Sequence, residues 1–186
     1  MDDRVVPLRR AALLCVLALA ACSEAPEPAG TSGAPGSWRE FSGSLTAAGN
    51  RQVLLLGEER RASVVELSGS MLLGGPSRPN AGFRADMIAF NDSASGMIGR
   101  AVWTDENGDK VFSELRGQGT ATGNRIDGTF VGGTGRYAGA SGDYHLSWQY
   151  VLESEDGTVQ GRALGLAGRV RVGASAEASP SEGTKK

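Results

Sequence analysis

The 186-residue chain is poor in the side chains that most often carry chemistry: it has one histidine, His145, and two cysteines, Cys15 and Cys22. A single imidazole excludes a multi-histidine metal centre and leaves little basis for a Ser-His-Asp triad. Basic residues nowhere gather into a block or an aromatic-basic stripe, so the electrostatic footprint of a nucleic-acid-binding protein is missing. No stretch carries a capped apolar period of 3.6 residues, and Gly and Pro interrupt too often for long helices. The apolar run Ala11–Ala21 has eleven residues, too few to cross a bilayer as a helix, which takes about 20. No metal and no cofactor are expected.

What is present begins with that short apolar run. It follows Arg4, Arg9 and Arg10 and ends in Leu19-Ala20-Ala21-Cys22. A cationic start, an apolar stretch of this length and small residues at its end read as a secretory signal peptide. Small residues directly before a cysteine at this point resemble the lipobox of bacterial lipoproteins. The resemblance implies that the Cys22 thiol receives a diacylglycerol, that the peptide bond before it is cut, and that the new amino group is acylated, typically by palmitate. The alternative is an ordinary secretory signal whose cleavage site abuts a cysteine. On the lipobox reading Cys15 leaves with the signal peptide and Cys22 becomes a thioether. The mature domain then has no thiol for a disulfide or a metal. Two or three acyl chains, at about 0.8 kcal/mol per buried methylene, anchor far more firmly than one. Ser23, where an Asp would suggest inner-membrane retention, directs the expectation to the outer membrane, facing the periplasm or the surface.

Composition divides the rest of the chain. Residues 1–21 form the signal peptide; residues 22–36 hold the lipidated cysteine and a flexible linker, SEAPEPAGTSGAPG. Residues 173–186 form a disordered tail of the same kind, because neither segment can bury enough apolar surface to fold. Residues 37–172 are long enough for one domain with one core. Without residues 1–21 the chain keeps 16 basic and 19 acidic residues, a net charge of −3 that offers no electrostatic hold on anionic lipid.

Within 37–172 the punctuation is that of an all-β domain. Candidate strands are 38–46, 61–73 (with 52–56 a short apolar run before it), 82–91, 97–104, 110–117, 125–131, 142–152 and 158–172. Between them lie AAGN, GGPSRPN, NDSASG, DENGD, TGN, a knot of glycines and SEDG, all turn chemistry. Eight antiparallel strands with no covering helix suggest a sandwich or a barrel; glycine inside strands, as at Gly69, Gly99 and Gly117, favours a curved, closed barrel. Period two is cleanest after the knot. Tyr144, Leu146, Trp148, Tyr150 and Leu152 take one face, and Asp143, His145, Ser147, Gln149 and Val151 the other. The apolar face must turn inward, which leaves His145 outside. Elsewhere the faces mix: Phe112 shares a parity with Lys110, Glu114 and Arg116. Such mixing points either to a partly polar lumen or to an outer face covered by another subunit. Trp103, Phe112, Tyr144, Trp148 and Tyr150 carry most of the large aromatic surface here and are the candidate ligand-pocket residues. Gly99 and Ala101 leave room beside Trp103.

The knot itself, GTFVGGTGRYAGASGDY from Gly128 to Tyr144, lacks the Lys-Ser/Thr pair of a phosphate loop and is followed by a strand rather than a helix. It therefore reads as a tight corner, with Gly132, Gly133, Gly135, Gly139 and Gly142 as its structural residues. Asp105-Glu106-Asn107-Gly108-Asp109 lacks the spacing of a calcium loop and reads as a hairpin turn on Asn107-Gly108. Together, the GGTGRYAGASG stretch and WTDENGDKVF at 103–112 resemble the signature of allene oxide cyclase-like and dirigent-like proteins. That resemblance implies an eight-stranded antiparallel, calycin-like barrel with an apolar cavity, often assembled as a trimer. The motif is structural and carries no catalytic residue, so cyclase activity does not transfer with it. Three functions stay open: an envelope lipoprotein whose barrel binds a small apolar or amphipathic ligand without catalysis, which is favoured; a structural, oligomerising barrel with no ligand; and a cyclase-like isomerase.

Overall fold

The computed structural model describes residues 36–75, 78–120 and 123–173. The expected signal peptide and linker up to Pro35, with Cys15 and Cys22, and the expected tail from Ala174 lie outside the described residues. Eight strands follow in order: β1 (Arg39–Leu55), β2 (Arg61–Gly75), β3 (Arg78–Asp92), β4 (Gly96–Asp105), β5 (Lys110–Thr120), β6 (Gly123–Gly133), β7 (Ser141–Glu153) and β8 (Thr158–Arg171). Each pairs antiparallel with the next, and β8 returns to β1, closing the barrel. Closure removes the sheet edges that an open eight-stranded sheet would expose. Among the described residues no helix is long and apolar enough to cross a membrane.

One expected turn is not a turn. AAGN, residues 47–50, lies in the middle of β1, so the two apolar stretches on either side of it form a single strand of 17 residues. Ladders on both flanks override the local turn preference: Ala47–Asn50 pairs with Ser68, Gly69, Leu67 and Glu66 of β2 and with Thr158–Gly161 of β8. The small residues serve close approach instead. A Cβ on Gly49 would strike the Glu66 carbonyl, and one on Gly69 the Thr46 carbonyl.

The alternating directions of the strands give the barrel two distinct ends. At the entry end the Gly36 N–H donates to the Val172 carbonyl (3.1 Å), beside the β4–β5 and β6–β7 connections. The far end carries the β1–β2, β3–β4 and β7–β8 turns. Inside the entry end, rings fill the bore. Trp103 stands edge-on to Phe130 (centroids 5.0 Å apart) and 4.7 Å from Tyr144, while Phe41 and Phe83 lie about 6 Å from Trp103. Such pairs contribute about 0.5–1.5 kcal/mol each beyond the area they bury. Further along, small and large aliphatic side chains share the inward face: Ala47, Ala89, Ala101 and Ala163 are buried among Val65, Leu67, Met97, Leu115, Ile126, Leu146 and Val159.

The strand parities resolve the mixed faces. On β5, Val111, Ser113 and Leu115 point inward and are buried. Phe112 pairs with Val102 on the outer face and is half-buried there, so it is not a pocket residue. On β7, Tyr144, Leu146 and Trp148 are buried as their alternation requires. The alternation weakens towards the far end. A register irregularity between Tyr150 and Leu152 ends it, Tyr150 is half-buried and Leu152 is 47% exposed.

Candidate functional site

The lumen keeps a cavity of about 40 Å³ between the aromatic plug and the aliphatic half of the bore. Its walls include Trp103, Tyr144 and Trp148, three of the five residues singled out in the sequence, together with Ala47, Ala85 and Ala101. Tyr150 does not reach it. That ring packs on the edge of Trp148 (6.2 Å) beneath the Arg51 guanidinium, nearer the far end. The cavity exists because large rings face small residues. Tyr144 lies over Gly128 of β6 and Trp148 over Gly161 of β8, positions where any Cβ would collide with the ring. Ala85 sits opposite Trp103 across the β3–β4 ladder.

Size limits what this space can take. One water needs about 10–15 Å³ of such volume, and a cavity known to hold benzene measures about 150 Å³. A cavity of about 40 Å³ therefore suits a molecule of a few heavy atoms, not a fatty acyl chain.

Two polar features interrupt the otherwise apolar interior. Ser113, on the inward parity of β5, shares a hydrogen bond of 2.9 Å with the Tyr144 hydroxyl. Burial pushes the Tyr144 phenol up to about 12, with the Ser113 bond opposing the shift, so it stays neutral at physiological pH. The second feature is the indole of Trp148, whose Nε1 is buried with no hydrogen-bond partner. A buried donor left unmade costs about 1–3 kcal/mol, so this N–H gains from any acceptor that reaches it. No carboxylate or imidazole lines the cavity. His145 is exposed on the outer face, between Asp127 and Ala167 on the neighbouring strands.

The glycine knot forms the expected corner at the entry end. Gly132, Gly135, Gly139 and Gly142 have φ of +138°, +50°, +69° and +144°, in the region that disfavours side chains. Gly133 acts differently: its backbone is extended, but the Lys110 and Tyr137 carbonyl oxygens leave no room for a Cβ. A single turn of 3-10 helix, Gly135–Tyr137, aims Arg136 at the β4–β5 turn. Arg136 Nε donates to Asp105 Oδ2 (2.6 Å), and the other Asp105 oxygen accepts the backbone N–H groups of Asn107 (2.8 Å) and Asp109 (3.1 Å). Burial pushes the Asp105 carboxyl up, but Arg136 and these N–H groups outweigh it and hold it below the usual carboxylate range. The acid-rich turn is thus an internal clamp between two hairpins. Sequence reasoning found the turn and the corner separately and missed the ion pair joining them. It also missed Ser113, whose only signal was a hydroxyl on an otherwise apolar parity.

No family model and no curated protein matches this chain. Among solved structures, a pterocarpan synthase dirigent protein superposes with a TM-score of 0.49 at 15% identity, over 84% of this chain and 100% of that one.

Proposed function

We propose that this protein is a lipid-anchored, non-catalytic barrel of the bacterial cell envelope whose lumen binds a small, largely apolar molecule with one hydrogen-bond acceptor. The observation that carries the reading is the cavity of about 40 Å³ with Trp148, whose indole N–H is unpartnered, in its wall. A carbonyl or ether oxygen on a compact apolar frame would satisfy that donor while its carbon atoms meet Ala47, Ala85 and Ala101. An isomerase would need an acid or base at the reacting carbon, and the lining offers only a phenol held neutral. The GGTGRYAGASG corner, with its resemblance to allene oxide cyclase-like and dirigent-like barrels, supports a binding role without adding a catalytic group.

Tryptophan fluorescence tests the lumen. Short ketones, ethers and aldehydes should shift the emission saturably, and Ala101→Leu, which fills the space, should abolish the response. No response across such a panel from the folded protein would remove the ligand reading. The anchor is tested separately: Cys22→Ser should leave the precursor unprocessed and free of radiolabelled palmitate. Unchanged label and membrane location in that variant would contradict the lipobox. The structural, oligomerising barrel keeps one observation in its favour, an outer wall that is unusually apolar.

A further inference from the structure

That outer wall is asymmetric. On β6, β7 and β8 the exposed apolar residues Val131, Val151 and Leu164 share no row of the ladder and are set among Arg125, Asp127, Thr129, Asp143, His145 and Arg162. On β2, β3 and β4 they adjoin. Val64, Phe90 and Ile98 lie side by side in one row of the ladder, 47%, 45% and 57% exposed. Ile88, two residues from Phe90 on the same face, is 54% exposed, and Leu54 continues the patch onto β1 at 63%. Single exposed apolar residues are ordinary; a contiguous patch across neighbouring strands marks an interaction site.

The charges around the patch say what it meets. In the next row of the ladder Ile88 is flanked by Glu66 on β2 and Arg100 on β4. Glu66 has no ion-pair partner among the described residues, whereas Arg100 is paired with Glu114 (2.9 Å) at an exposed position. One acid and one base placed symmetrically about β3 form a self-complementary pattern, as a two-fold interface requires. We propose that this wall is the interface with a second copy of the chain, related by a two-fold axis running along β3, in place of the trimer that the family resemblance implies. That axis sets Ile88 and Phe90 against their own counterparts, Val64 of each copy over Ile98 of the other, and Glu66 over Arg100. Convex barrel walls touch over few strands, which places the contact near the low end of stable interfaces, about 1,000–1,200 Å², and makes the dimer reversible. The inference does not depend on the lumen binding a ligand.

Disulfide trapping in the full chain, expressed in its own membranes, tests it. Ile88→Cys, on the axis, should give a band of twice the chain mass on a non-reducing gel after mild oxidation. Thr129→Cys on the polar wall should not. Glu66→Arg in the Ile88→Cys background should lower the trapped fraction about tenfold, and adding Arg100→Glu should restore it, a rescue that a misfolded variant or an unrelated partner would not give. If the thiol at position 88 reacts freely with a water-soluble maleimide and forms no dimer, the proposal is overturned. It is equally overturned if lipid shields that thiol without a dimer, or if the double reversal fails to rescue.

Discussion

The two halves of the barrel solve the same problem in opposite ways. At the entry end six rings interlock, Phe41, Phe83, Trp103, Phe130, Tyr137 and Tyr144, and the Asp105–Arg136 pair clamps the connections above them. Beyond Tyr144 the bore is filled by aliphatic side chains, Leu67, Leu115, Ile126 and Leu146 with alanines between them, and Trp148 leaves a donor unused. Both halves hang on the same closed ladder, so the ladder gives the barrel its shape and side-chain volume decides what each half is for. Removing a ring from the plug costs about 3–5 kcal/mol; the alanine positions beside the cavity cost little to alter. The entry half reads as the stabilising half and the far half as the adaptable one.

The largest test of that contrast is Trp103→Ala. It removes the ring that touches Phe41, Phe83, Phe130 and Tyr144, and should lower unfolding free energy by about 3–5 kcal/mol in denaturant titrations. Asp105→Asn should cost about 2–3 kcal/mol, since it leaves Arg136 only the more distant Asp109 carboxylate (3.9 Å) while most of the backbone cage persists. Gly135→Val should cost about 2 kcal/mol, because φ of +50° resists a β-branched residue and the new Cβ would strike the Asp109 carboxylate. The smallest effect belongs to the cavity. Filling about 40 Å³ at ~24 cal/mol per Å³ returns no more than about 1 kcal/mol, so Ala101→Val should change stability by about 1 kcal/mol or less. If Ala101→Val were as damaging as Trp103→Ala, the two halves would not differ as described.

Acid and base sharpen the comparison further. The Asp105 carboxyl is held below its ordinary value by Arg136 and backbone N–H groups against the upward push of burial, so its contribution is complete above the unfolded value of about 3.9. That contribution is lost as pH falls through the lower folded value. Tyr144 is the reverse: its phenol is pushed up to about 12 by burial, so its contribution is complete below about 10 and disappears as pH rises from there towards 12. Denaturant midpoints measured across pH should show a plateau that falls away at both extremes. Asp105→Asn should shrink the acid limb, to which Asp92 and Asp156, also held low by their hydrogen bonds, contribute, and Tyr144→Phe the alkaline one, which Tyr150, also pushed up by burial, shares.

Much of this was legible in the sequence, for a physical reason. Inward burial of Tyr144, Leu146 and Trp148 follows from a period of two, a local property of the strand, and the glycine corner follows from backbone angles that only glycine adopts freely. The failures lie where distant contacts decide. AAGN has turn composition, yet two ladders draw it into β1. Phe112 is aromatic, yet its parity turns it to the outer face beside Val102. Tyr150 keeps the right parity and still misses the cavity, because the alternation breaks where β7 reaches the far end. The Asp105–Arg136 clamp joins residues 31 apart, and no local pattern announces such a pair.

The central claim, a lumen that receives a small acceptor-bearing ligand at Trp148, has a direct readout in the protein's three tryptophans, Trp38, Trp103 and Trp148. Each gives one indole N–H resonance in a proton–nitrogen correlation spectrum, and Trp148→Phe assigns the one that matters. Addition of a compact ketone should move the Trp148 indole signal downfield and saturably, while the half-exposed Trp38, against Arg169 and Arg171, stays in place. A Trp148 signal unmoved at saturating ketone, in a protein that remains folded, would contradict the account.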